Sequence, residues 1–108
     1  MSIMTNCIII LVTAGSESEA EAIAKALVEE RLAACVNILD PIRSIYRWEG
    51  KVVDDHEWLL IIKTQNERFA AVEEKVKALH SYQVPEVIAL PILEGSTPYL
   101  HWLAQESS

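Results

Sequence analysis

Glycine is scarce in this chain. The 108 residues hold three, Gly15, Gly50 and Gly95, too scattered to cradle a phosphate, and no nucleotide fingerprint, G-x-S-x-G or H-E-x-x-H motif occurs. Catalysis is therefore not expected. Cysteine is as sparse. Cys7 and Cys35 each lie in an apolar run, where a free thiol acts as a small hydrophobe, and no C-x-x-C or H-x-x-x-H pair offers metal-ligand spacing. The expectation is a reduced, cytoplasmic protein. The longest wholly apolar run, Cys7 to Val12, falls far short of the roughly 20 residues of a bilayer span. No Lys or Arg precedes it as a signal peptide requires, so export and a membrane partner are not expected. Basic residues are the minority, 9 against 16 acidic ones for a net charge of −7, and they are scattered singly, which argues against nucleic acid. An acidic field favours cations instead.

What the chain has in quantity is apolar residues, 51% of the total, with a mean hydropathy of +0.18. One domain over residues 1–108 is the expectation, with part of its apolar surface given to an oligomer. Cys7 to Thr13 reads as a strand buried on both faces. Ser16 and Glu19 then form a capping box for a helix with Ala20, Ile23, Ala24, Leu27, Val28 and Leu32 at helical spacing, and Arg31 stands near its negative end. Extended pattern returns from Cys35 to Leu39, breaks at Asp40-Pro41, runs from Ile42 to Trp48, turns at Glu49-Gly50 and continues from Lys51 to Thr64. Asn66 caps a second helix with Phe69, Val72, Val76 and Leu79 inward and His80 at its end. Pro85 and Pro91 bracket a short buried strand of about five residues, and Thr97-Pro98 opens a C-terminal helix. The fold class is α+β, a ferredoxin-like βαββαβ sandwich with an extended hairpin between its second and third strands and a short C-terminal helix.

The hairpin arms are longer than a small sheet pairs internally. Tyr46, Trp48 and Trp58 along them are expected to form either a subunit interface or an aromatic slot for a small molecule.

Five segments, Ala33 to Asn37, Tyr46-Arg-Trp-Glu-Gly-Lys51, Glu57 to Thr64, Tyr82-Gln-Val-Pro-Glu86 and Tyr99-Leu-His-Trp102, make the chain resemble the CutA family of divalent-cation-tolerance proteins. The resemblance runs from the first strand to Trp102. It implies a homotrimer in which hairpins of neighbouring subunits pair, an architecture similar to the PII signalling proteins, and a link to copper and other divalent cations; the aromatic area that three stacked hairpins would bury leads to an expectation of a thermostable protein. Bacterial members credited with a copper site carry a cysteine before the Thr-Ala that ends the first strand and two adjacent histidines after the second helix. Here those places hold Val12-Thr13-Ala14 and Leu79-His80, so only the histidine is retained.

The metal candidates are His80, Cys35 and Glu57, for a divalent cation such as Cu or Zn that is not obligatory. Each also has a plain reading: His80 as a helix C-cap, Cys35 as core, Glu57 as an ion-pair partner of Lys63. His56 beside Asp54, Asp55 and Glu57 is a weaker chelating group. Trp48, Lys63, Tyr82 and Glu86 are expected to line intersubunit clefts with the metal candidates. The functional expectation is a non-enzymatic, cytoplasmic homotrimer that binds cations or a small ligand in those clefts. The alternative is a PII-like signalling or scaffold trimer that recognises a protein and meets metal only incidentally.

Overall fold

The computed structural model describes residues 5–108. In chain order its elements are β1 (Cys7–Ala14), α1 (Glu17–Glu29), β2 (Cys35–Ile38), β3 (Ile42–Trp48), β4 (Lys51–Gln65), α2 (Phe69–Leu79), β5 (Val87–Pro91) and α3 (Thr97–Glu106). A single antiparallel sheet runs β2-β4-β1-β5, and β3 pairs with the far half of β4.

The β-branched run of β1 occupies a central position, with Ile10 opposite Ile62 of β4 and Ala89 of β5. Its even-numbered residues Ile8, Ile10, Val12 and Ala14 face α1 and α2 and are buried against Ile23, Leu27, Leu60, Ile62, Val72 and Val76. The odd-numbered Ile9 and Leu11 point to the opposite face and are only half-buried, so burial on both faces is incomplete within one chain. α3 closes one end of that second face, where Leu103 and Leu100 pack on Cys7, Ala34 and Ile92.

Four helix termini differ from the sequence expectation, and at the two ends of α1 tertiary partners take the side chains of Glu19 and Arg31. Ser16 Oγ accepts the Glu19 N–H at 3.2 Å, as a cap should. The Glu19 carboxylate does not return the bond; it accepts from the Ser81 N–H at 2.6 Å and the Ser81 hydroxyl at 2.8 Å. α1 stops at Glu29 rather than Leu32, since Arg31 turns left-handed at φ 60° while the Leu32 and Arg31 N–H groups bond to the Leu27 and Val28 carbonyls. This is a Schellman closure with arginine where glycine is usual. The Arg31 guanidinium serves α3 instead, donating to the Gln105 and Ser108 carbonyls. Asn66 begins a short 3₁₀ turn without a side-chain cap, and Ser96 rather than Thr97 precedes α3.

The hairpin tip is a two-residue turn with Glu49 at φ 49° and Gly50 at φ 78°, the doubly left-handed geometry that matches strand twist. β3 and residues 51–57 of β4 extend past the sheet, which gives overall dimensions of 46 × 31 × 24 Å. The Cα radius of gyration, 14.6 Å, exceeds the about 13 Å expected of a compact chain this long.

Candidate functional site

Where the hairpin leaves the sheet, β4 carries Glu57 opposite Ile42 of β3. Antiparallel pairing puts Ser44, Tyr46 and Trp48 on the same side of the ribbon as Glu57. The segment after α2 brings Tyr82, Gln83, Val84 and Glu86 across from them. With Thr13 and Ile45 these residues enclose a cleft of about 620 Å³.

Glu57 is 5% exposed, and the Tyr82 hydroxyl donates to its Oε2 at 2.8 Å. Among the described residues no Lys, Arg or His pairs with this carboxylate, and Oε1 accepts no hydrogen bond. A buried carboxylate in that condition is costly, so the site has spare capacity for a positive charge. Its surroundings push in one direction. Burial, then the hydrogen bond to Glu57, raises the Tyr82 phenol far above its ordinary 10.0. Burial, then the charges of Asp55 and Glu57, raises the Tyr46 phenol. The Glu86 carboxyl is raised by local burial and by Glu57, although the residue as a whole is exposed. Burial is the larger cause in all three, and the smaller contribution of the Glu57 and Asp55 charges is the part that disfavours a further negative charge in the cleft.

Tyr82 is held from two sides. Its N–H donates to His80 Nδ1 at 3.0 Å, and the His80 ring, its side chain fully buried, lies 2.6 Å from the Thr13 carbonyl through Nε2. A carbonyl can only accept, so the proton sits on Nε2 and Nδ1 is the acceptor. The Glu19 oxygen 3.2 Å from Nδ1 is therefore not an ion-pair partner while the ring is neutral. Gly15 packs under the phenol, and a Cβ there would lie 3.1 Å from Tyr82 Cε1 and Oη.

The residues singled out from the sequence separate into groups. Trp48, Tyr82, Glu86 and Glu57 line the cleft. Lys63 does not: six residues along β4 from Glu57, it lies 5.9 Å from the Tyr99 ring centroid under α3. Cys35 sits opposite Lys63, about 20 Å along the strand from Glu57. Both ring nitrogens of His80 are engaged within the chain. Within one chain the structure thus does not bring His80, Cys35 and Glu57 to one point, and among the described residues no three His, Cys, Asp or Glu side chains form a metal-holding group. His56 lies on the ribbon face away from Glu57, and Asp54 there is taken by a bidentate bond from Arg43. Trp58 turns toward the helix layer and packs on the core with its indole Nε1 buried and unbonded, apart from Tyr46 and Trp48. Sequence reasoning missed Thr13, Ser44 and Gln83. Ser44 alone carried a signal, a small polar residue on the inward parity of a β-branched, aromatic arm.

Comparison with known proteins places this arrangement. Residues 8–106 match the family model described as CutA1 divalent ion tolerance protein. The divalent-cation tolerance protein CutA of Thermus thermophilus is 57% identical over 99 residues, covering 92% of this chain and 96% of that protein. Protein CutA of Mus musculus is 52% identical over 94 residues, and there the chain spans only 53% of its relative's length. A solved structure of the Thermus thermophilus divalent cation tolerance protein superposes with a TM-score of 0.92 at 55% identity, covering 94% of this chain and 99% of that one. A structure described as the periplasmic divalent cation tolerance protein CutA from Archaeoglobus fulgidus also gives a TM-score of 0.92, at 46% identity over 94% and 99% of the two chains. On sequence and on fold together, the chain belongs to the CutA1 divalent ion tolerance family.

Proposed function

We propose that this protein is a non-enzymatic homotrimer of ferredoxin-like subunits that takes up a cation in the cleft between Glu57 and Glu86. The observation that carries the reading is the Glu57 carboxylate, 5% exposed, without a cationic partner among the described residues and open to the cleft. A buried anion left this way is destabilised, and a cation in the cleft would compensate it. The trimer is supported by the overlong hairpin and by the apolar second face of the sheet, where Ile88 and Leu90 stay half exposed beside Ile9 and Leu11. The absence of enzymatic activity is supported by the fate of His80, whose two nitrogens are committed to Tyr82 and Thr13 and leave no free base beside Glu57.

The family's association with divalent cations can be set against these donors. A copper or zinc site wants thiolate or imidazole, and Cys35 and His80 lie outside the cleft or are already bonded. The carboxylates of Glu57 and Glu86 suit harder cations. The soft-ligand copper set does not fit the residues of one chain, and the mode of uptake proposed is charge neutralisation. A cytoplasmic location is part of the proposal, on the strength of two free cysteines.

The test is calorimetric titration of cations into the wild-type protein and Glu57→Gln, with molecular mass followed by light scattering. Saturable uptake weakened about tenfold or more by the substitution is expected. Uptake indifferent to it would overturn the assignment of the cleft.

A further inference from the structure

The shape of the cleft says more about the cation than its charge does. A bare divalent ion needs several oxygen or nitrogen ligands converging at 2 to 2.6 Å, roughly six for the hard ions. The cleft offers Glu57 and Glu86 as ionisable ligands and spreads them over about 620 Å³, a volume in the range that holds organic molecules of several heavy atoms. The rest of the wall is aromatic. Tyr46 and Trp48 come from one ribbon and Tyr82 from the opposite segment, and within a single chain Tyr46 is 38% and Trp48 41% exposed. Aromatic faces attract cations that carry little hydration and gain nothing from a strongly hydrated metal ion. Gln83 and Ser44 add neutral polar groups at the rim.

We infer that the cleft binds a small organic cation, with its protonated amine or guanidinium head on Glu57 and its body against Tyr46 and Trp48. The inference rests on the cation-binding reading of the cleft and narrows it. Glu57 Oε1, free of any hydrogen bond among the described residues, receives the N–H donors, while Oε2 stays fixed by the Tyr82 hydroxyl at 2.8 Å. Fixing one oxygen sets the plane of the carboxylate and therefore the direction from which a donor approaches. Glu86, opposite and solvent-accessible, is placed to meet a second positive group or the same head from outside.

Agmatine, putrescine, Mn²⁺ and Zn²⁺ serve as probes, titrated separately by calorimetry into the full chain and into Glu57→Gln, Glu86→Gln and Trp48→Ala. Circular dichroism and light scattering verify that each variant keeps its fold and mass. Saturable agmatine or putrescine binding is expected, tighter than either metal. It should weaken about tenfold or more in Glu57→Gln and several-fold in Trp48→Ala. Should Glu57→Gln not fold, Glu86→Gln and Trp48→Ala carry the decision, and organic-cation affinity unchanged in both overturns the inference. Metal binding tighter than amine binding and untouched by Trp48→Ala overturns it while leaving the cation cleft in place. Absence of binding by all four probes overturns both readings, since a neighbouring subunit's own side chain would then be filling the cleft.

Discussion

A single contact under Tyr82 shows how closely this site is built. The phenol is pinned at its tip by Glu57 and at its backbone by His80, and Gly15 fills the space beneath it. Gly15→Ala would place a methyl 3.1 Å from the ring, and the ring cannot yield without lengthening its 2.8 Å bond to Glu57. We expect a loss of about 1 kcal/mol in stability, read by denaturant unfolding, together with weakened cation uptake. Unchanged uptake would show that the Tyr82–Glu57 bond does not set the geometry of the cleft. None of this could be read in the sequence, where Gly15 is a turn residue and Tyr82 and Glu57 stand 25 positions apart. His80 shows the same limit from the other side. Its place at the end of a helix was legible, but the carbonyl and the N–H that occupy its two nitrogens come from elements whose approach only the fold determines.

At the scale of elements the sequence was far more legible, because strands and turns here obey local rules. The run from Cys7, the Pro-bracketed strand and the Glu49-Gly50 turn appear where side-chain pattern and proline chemistry put them, although the Pro-bracketed strand is mostly exposed and not buried, because it lies at the edge of the sheet. The helix ends were less so. Glu19 and Arg31 have good local uses in α1, yet both are drawn to distant partners, Ser81 and the last turn of α3, that offer stronger bonds. The hairpin tip gives a clean test of the local rule. Gly50 sits at φ 78° with nothing within 4 Å of where a Cβ would project, so Gly50→Ala meets no neighbour and carries only the backbone cost. That cost is about 1 kcal/mol. Thermal unfolding should reveal it while cation uptake by the cleft stays at the wild-type level. A loss of uptake instead would mean that the tip itself closes over the site.

The molecule as a whole carries an unfinished surface. On the sheet face away from α1 and α2, Ile9 and Leu11 are flanked by Leu90 and Ile88, which remain 50% and 52% exposed, while the hairpin leaves Ile45 and Val52 at 63% and 68%. Apolar area of this extent on a chain with a net charge of −7 marks an interaction surface. In the proposed trimer this face is covered, and folding becomes coupled to association, so the midpoint of thermal unfolding should rise with protein concentration. Ile88→Asp or Leu90→Asp introduces a charge into that contact and should reduce the mass seen by light scattering from three times 12.1 kDa toward one. Glu74→Ala, on the solvated side of α2, should leave it unchanged. A wild-type protein that scatters as a single copy at every concentration, with an unfolding midpoint indifferent to dilution, would show that the exposed strand residues are tolerated as they stand and that the cleft works within one chain.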